Sequence, residues 1–223
     1  MKNKENIVAF DLDGTLLDSA DDLINCLNLI LKEEGKNTVK KKNIHNLLGN
    51  GALAMIKEAF KINHEDLNKY EAERLTKKFL FYYKNECVKK SKLFPHTLKT
   101  LEILKKNKFK LLLVSNKPEY FVKKILKHFN IYKFFSAISG GDTFDFRKPD
   151  HRHLLETIKK AKINNYKCWF IGDSKNDALC AKKSKSKLIL LKHGYSKDNL
   201  ITLGADYVLS NLKEVSKKII KDT

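Results

Sequence analysis

Two aspartates one residue apart, Asp11 and Asp13, close the apolar run Ile7-Val8-Ala9-Phe10. Carboxylates that near each other repel, and the end of a buried strand strengthens the repulsion unless solvent or a cation intervenes. Three other places carry residues of the same kind. Ser115-Asn116 follows an apolar run, Lys148-Pro149 opens a helical pattern, and Gly172-Asp173-Ser174 ends another apolar run with Asp177 a turn later. Taken singly, each has an ordinary explanation: a turn, a helix start, a helix cap. Open parallel sheets, however, gather their ligands at the carboxyl ends of the strands, so these residues would share one edge. Carboxylates converging there need a divalent cation, and hard oxygen donors suit Mg²⁺. Lys148 and the Ser115 hydroxyl add donors for an anion beside that ion. A cation, an anion cradle and a free carboxylate make a site for phosphoryl transfer.

The elements that must hold these residues alternate. Strands are expected at residues 7–10, 110–115, 135–139, 168–172 and 188–191, with a weaker one at 207–209. Helices are expected at 118–129, at 150–162 and from Asp177 onward. Near-continuous apolar strands separated by helices predict an α/β fold with a parallel sheet covered on both faces. Residues 19–90 read differently. Ser19 is a good N-cap, Asp21 and Asp22 fall in the first turn, and Leu23, Ile24, Leu27, Ile30 and Leu31 recur at helical spacing until Gly35. Further helical patterns cover 50–60 and 66–84 without an intervening strand. The expected domains are therefore a discontinuous core, 1–18 with 91–223, and an inserted helical domain at 19–90.

The chain has 223 residues and a formal net charge of +19. Its lysines are spread over nearly every helix, and Arg74, Arg147 and Arg152 are its arginines. A dispersed cationic surface without interleaved aromatics argues against a specific nucleic-acid partner and for weak attraction of small anions. No run approaches the roughly 18 apolar residues of a membrane span, and MKNKEN lacks the apolar segment of a secretory signal. A cytoplasmic location is expected. Cys26, Cys87, Cys168 and Cys180 show no metal spacing and read as reduced, mostly buried thiols. His151 and His153 are expected at the surface.

FDLDGTLLDS (10–19), Ser115, Lys148 and GDSKND (172–177) together resemble the four motifs of the haloacid dehalogenase superfamily phosphatases. LLGNGA (47–52), VSNKPEY (114–120), RKPDHRHLLETI (147–158), HGYS (193–196) and GADYVL (204–209) resemble, more narrowly, the phosphoglycolate phosphatases. The resemblance implies a Rossmann-like core with a helical cap, working as a monomer or homodimer on a small phosphorylated anion. It implies that Asp11 is the nucleophile and Asp13 the general acid and base. Mg²⁺ would be held by the Asp11 carboxylate, the Asp13 carbonyl and Asp173, with Asp177 close by. Ser115, the Asn116 backbone and Lys148 would cradle the phosphoryl oxygens. Related hydrolases of sugar phosphates, nucleotides or pyrophosphate, and more remotely a phosphoglucomutase, share several of these stretches. A cationic binding protein on a disused scaffold is the reading from another class. Gly49-Asn50-Gly51 is the candidate substrate-facing loop of the cap, although a plain turn before a helix explains it equally well. Two stretches depart from the family pattern: His151 stands in place of a second proline, and Lys183-Ser184-Lys185 replaces a small, glycine-containing segment.

Overall fold

Apolar runs too short for helices alternate with amphipathic stretches, and this sets the order of elements in the computed structural model, which describes residues 4–223. From β1 (Glu5–Phe10) the chain passes through β2 (Leu17–Asp18) into α1 (Ala20–Glu33), α2 (Ile44–Leu47), α3 (Ala52–Ile62) and α4 (Lys69–Glu86), then returns through β3 (Lys92–Leu93). There follow α5 (Thr97–Lys106), β4 (Lys110–Val114), α6 (Glu119–His128), β5 (Phe135–Ser139), α7 (Arg152–Lys160) and β6 (Tyr166–Gly172). The chain ends with α8 (Lys175–Lys183), β7 (Lys187–Leu191), β8 (Tyr207–Leu209) and α9 (Leu212–Lys221). Among the described residues no helix is long and apolar enough to cross a membrane.

Six strands form one sheet in the order β5-β4-β1-β6-β7-β8, and every pairing is parallel. Its central strands are apolar on both sides because both sides are covered. Ile7 and Ala9 of β1 join Leu112, Val114, Phe170 and Leu190 in a core closed by Leu154 and Ile158 of α7 and Ala178 and Ala181 of α8. The alternate residues Val8 and Phe10 are equally buried. α5 and α9 pack together and against β4 and β8, tied by the Thr100 hydroxyl donating to the Leu212 carbonyl at 2.9 Å. Sequence reasoning assigned neither of these two helices.

Register decides what the sheet presents. Phe10 is level with Leu113 of β4 and with Ile171 of β6. The residues just past those positions therefore emerge side by side at one edge.

The chain divides into two compact units, one of residues up to Leu17 with Leu93–Thr223, the other of Asp18–Lys92. β2 and β3, where it passes from one to the other, pair as a two-stranded sheet. Within Asp18–Lys92, α4 packs on α1 and α3 around buried Leu27, Ile30, Ile56, Phe60, Leu75 and Phe79. Asn68 and Glu71 form a capping box at the start of α4. Ser19 stands at the N-cap of α1, but its side chain makes no cap bond. It is fully buried, and the Asp18 carboxylate accepts the Ala20 N–H instead, at 3.3 Å. Asp22, also buried, accepts the N–H groups of Lys90 and Ser91 and the Ser91 hydroxyl at 2.7–2.9 Å. It thereby pins the end of this unit to its first helix.

Two local expectations need correction. The helix expected from residue 150 starts at Arg152, because the Asp150 carboxylate accepts the Arg152 N–H and makes the preceding residues a turn. His153, expected at the surface, is fully buried on the inner side of α7. Helical spacing puts it one turn before Thr157, also buried. All four cysteines are free and buried.

Candidate active site

β1 is followed by a single tight turn in which the Leu12 carbonyl accepts the N–H groups of Thr15, Leu16 and Leu17. Gly14 makes that turn with φ +83°, and a side chain there would collide with the Asp173 carboxylate. No other residue type satisfies both demands. At the end of β6, α8 opens with a capping box between Ser174 and Asp177. The Oδ2 of Asp177 accepts the Asp173 N–H, the Ser174 N–H and the Ser174 hydroxyl, at 3.2, 3.0 and 2.7 Å.

Its other oxygen, Oδ1, meets the Lys148 ammonium at 2.7 Å, and the same Nζ lies 2.7 Å from Asp11 Oδ1. Lys148 is 3% exposed and its Nζ sits 5.6 Å from the centre of the Phe170 ring. Burial pulls the pKa of this amine down; Asp11 and Asp177 outweigh burial and hold it above the ordinary value. Burial pushes the Asp11 carboxyl up to about 7 despite Lys148, with Asp177 and Asp13 adding to the rise. Burial, then Asp177 and Asp11, carry Asp173 well above the usual carboxylate range. Asp173 is held by the Tyr195 N–H at 2.7 Å and the Thr15 hydroxyl at 3.4 Å. Gly194 leaves the room that Asp173 occupies. Carboxylate oxygens of Asp11, Asp173 and Asp177 all lie within 4.8 Å of one another.

The remaining residues singled out from the sequence fall as follows. Asp13 is paired with Lys117, Nζ to Oδ1 2.8 Å. Ser115 is buried and its hydroxyl oxygen accepts the Lys117 N–H at 3.3 Å. The Asn116 side-chain amide donates to the Lys148 carbonyl at 2.9 Å, so the β4 end and the lysine loop are bonded together. Gly51 belongs to the unit Asp18–Lys92, where it caps α3 at φ 85°. Sequence reasoning missed Lys117, Thr15, Tyr195 and His153. His153 Nδ1 accepts the Lys148 N–H at 3.2 Å and so fixes the backbone that carries the central lysine. A usable signal existed for Tyr195, which lies in HGYS, and for Lys117, which lies in VSNKPEY.

Residues 8–191 match the haloacid dehalogenase-like hydrolase family. The chain belongs to that family. It is 33% identical over 215 residues to a phosphoglycolate phosphatase of Agrobacterium fabrum, covering 96% of this chain and 92% of the relative. It is 36% identical over 197 residues to a phosphoglycolate phosphatase of Colwellia psychrerythraea, covering 86% and 87%. Its fold superposes with TM-score 0.89 on a crystal structure of a predicted phosphoglycolate phosphatase from Haemophilus somnus, at 28% identity over 98% of this chain and 99% of that one.

A haloacid dehalogenase-like hydrolase with this site has a charge imbalance. Four carboxylates, Asp11, Asp13, Asp173 and Asp177, face two ammonium groups, Lys117 and Lys148. Burial raises Asp11 and Asp173 first, and the neighbouring carboxylates add to the rise. An all-oxygen donor set with excess negative charge fits a hard divalent cation. Asp177 is the most committed of the acids, since one of its oxygens accepts three protein donors and the other the Lys148 ammonium.

Proposed function

We propose that the chain is a Mg²⁺-dependent phosphomonoesterase that converts 2-phosphoglycolate and water to glycolate and phosphate. The observation that carries the phosphatase reading is the buried Asp11–Lys148–Asp177 bridge beside Asp173 at the carboxyl edge of the sheet. The substrate is supported by the names of the relatives. Bound Mg²⁺ supplies charge neutralisation of the transferring phosphoryl group; the Asp11 and Asp173 carboxylates and the Asp13 carbonyl hold it, with Asp177 adjoining.

Asp11 attacks phosphorus and forms an aspartyl-phosphate as the bond to the leaving oxygen breaks. Asp13 gives that oxygen its proton, releasing glycolate as an alcohol. It then takes a proton from the water that attacks the aspartyl-phosphate, freeing phosphate and restoring Asp11. Lys148, Ser115 and the Asn116 N–H receive the phosphoryl oxygens. Asp177 keeps Lys148 in place. Residues 19–90 serve as the cap that selects substrate, with Gly49-Asn50-Gly51 as its contact loop. The enzyme works in the cytoplasm as a monomer or homodimer, and its partner is a small phosphorylated anion rather than a nucleic acid, since its lysines are dispersed.

The test is phosphate release by the purified chain from a panel holding 2-phosphoglycolate, sugar phosphates, nucleotides and pyrophosphate. Release is expected from 2-phosphoglycolate with the highest kcat/KM, lost in EDTA and restored by Mg²⁺. Asp11→Asn should lower kcat by about a thousandfold or more with unchanged circular dichroism. Turnover that survives EDTA, or that persists in pure Asp11→Asn, overturns the mechanism. A different leader in the panel replaces the substrate alone.

A further inference from the structure

Among the described lysines, Lys117 and Lys148 are the two that are buried. Lys148 is bound to Asp11 and Asp177. Lys117 does something else at the same edge: it is 7% exposed, and its Nζ lies 2.8 Å from Asp13 Oδ1. Its backbone is rooted on both sides, the N–H on the Ser115 hydroxyl at 3.3 Å and the carbonyl on the Gly141 N–H at 2.9 Å. A side chain on Gly140 would strike the Lys117 carbonyl and the Glu119 backbone, so this stretch is packed too closely to wander.

On the phosphatase reading above, Asp13 touches the leaving oxygen, so the departing half of the substrate is next to Lys117. We propose that Lys117 is a specificity-determining residue that recognises a second anionic group, a carboxylate, on the leaving group. A leaving oxygen in hydrogen-bond reach of Asp13 lies within about 6–8 Å of the ammonium. A carboxylate joined to that oxygen through one carbon extends about 3 Å from it, and a hydrogen bond of about 3 Å closes the rest of the distance at the near end of that range. An ammonium has three donors and a flexible stem, enough to keep Asp13 and hold the substrate carboxylate together.

The experiment compares 2-phosphoglycolate with ethyl phosphate and 2-hydroxyethyl phosphate, which keep the ester and lose the carboxylate. Each is measured with wild type, Lys117→Met and Lys117→Arg, with thermal melting as the check on folding. The wild type is expected to favour the acid by at least about tenfold in kcat/KM. Lys117→Met should erase that preference, the acid losing at least about tenfold more in kcat/KM than ethyl phosphate and losing it through KM, and Lys117→Arg should restore part of it. Equal kcat/KM for acid and neutral ester in wild type overturns the assignment, whatever the variants do. So does an equal loss on every ester in a folded Lys117→Met, which would leave Lys117 as no more than a support for Asp13. Absence of hydrolysis of every ester by wild type is a distinct pattern, and sinks the phosphatase reading together with this one.

Discussion

The imidazole of His153 is enclosed beneath the loop that carries Lys148, with Nδ1 accepting a backbone N–H and therefore unprotonated. Burial is the first cause that drives its pKa down to about 4, and the charge of Lys148 adds to it; the Gly140 carbonyl and Asp150 pull the other way without prevailing. The folded protein thus keeps this histidine neutral while the unfolded chain, with an ordinary value near 6.5, takes up a proton. Between those values the unfolded state binds more protons, so stability falls with falling pH and is fully present above about 6.5. Wild type should lose about 2 kcal/mol between pH 7 and pH 5 beyond what His153→Gln loses. Urea titrations of both proteins at the two pH values measure the difference, and parallel curves would refute it. The acids of the site were readable because aspartates are seldom placed in pairs at strand ends. His153 was not readable, since a polar residue at a helix start reads as exposed until its helix is docked.

Glycine is scarce here, nine in the whole chain, and several helices end without it. α5, α6, α7 and α8 are each followed by a residue in the left-handed region: Lys108, Asn130, Lys162 and Lys185, with φ between 56° and 63°. A Cβ in that region is strained, and glycine is not. Lys185→Gly should therefore stabilise the protein by about 0.5–1 kcal/mol, seen as a later urea midpoint with an unchanged slope. An earlier midpoint would show that the lysine stem contributes packing that outweighs the strain. The elements themselves were legible to different degrees. β1, β4, β6 and β7 announced themselves as apolar runs, because strands covered on both faces have no polar side. α5 and α9 were not assigned, since each is only ten residues long and no glycine or proline marks where it ends. Lys117 escaped because it looks like one more lysine of a helix start, and only the turn after β4 brings it to Asp13.

A net charge of +19 surrounds a site whose proposed substrate is anionic. Such a field raises the encounter rate of small anions and fades as salt shortens its range. With 2-phosphoglycolate, kcat/KM is expected to fall by roughly threefold between about 20 and 200 mM salt, with kcat nearly constant. Steady-state kinetics over that range decide it, and a flat kcat/KM would mean that the lysines only solvate the surface. The parallel sheet was foreseeable from alternation, and the common edge of the site followed from it. The precise neighbours across that edge were not, because register between distant strands is set by packing that no short stretch records.

The strand order also bears on how the protein is made. β1 is synthesised first, yet its two neighbours, β4 and β6, emerge about one hundred and one hundred and sixty residues later. On the ribosome β1, whose residues Ile7 to Phe10 are buried in the fold, waits unpaired until those strands emerge, and the helical insertion can fold in the meantime. Asp11, Lys148 and Asp173 are present together only once residue 173 has been added, so the proposed site cannot assemble before β6 is complete.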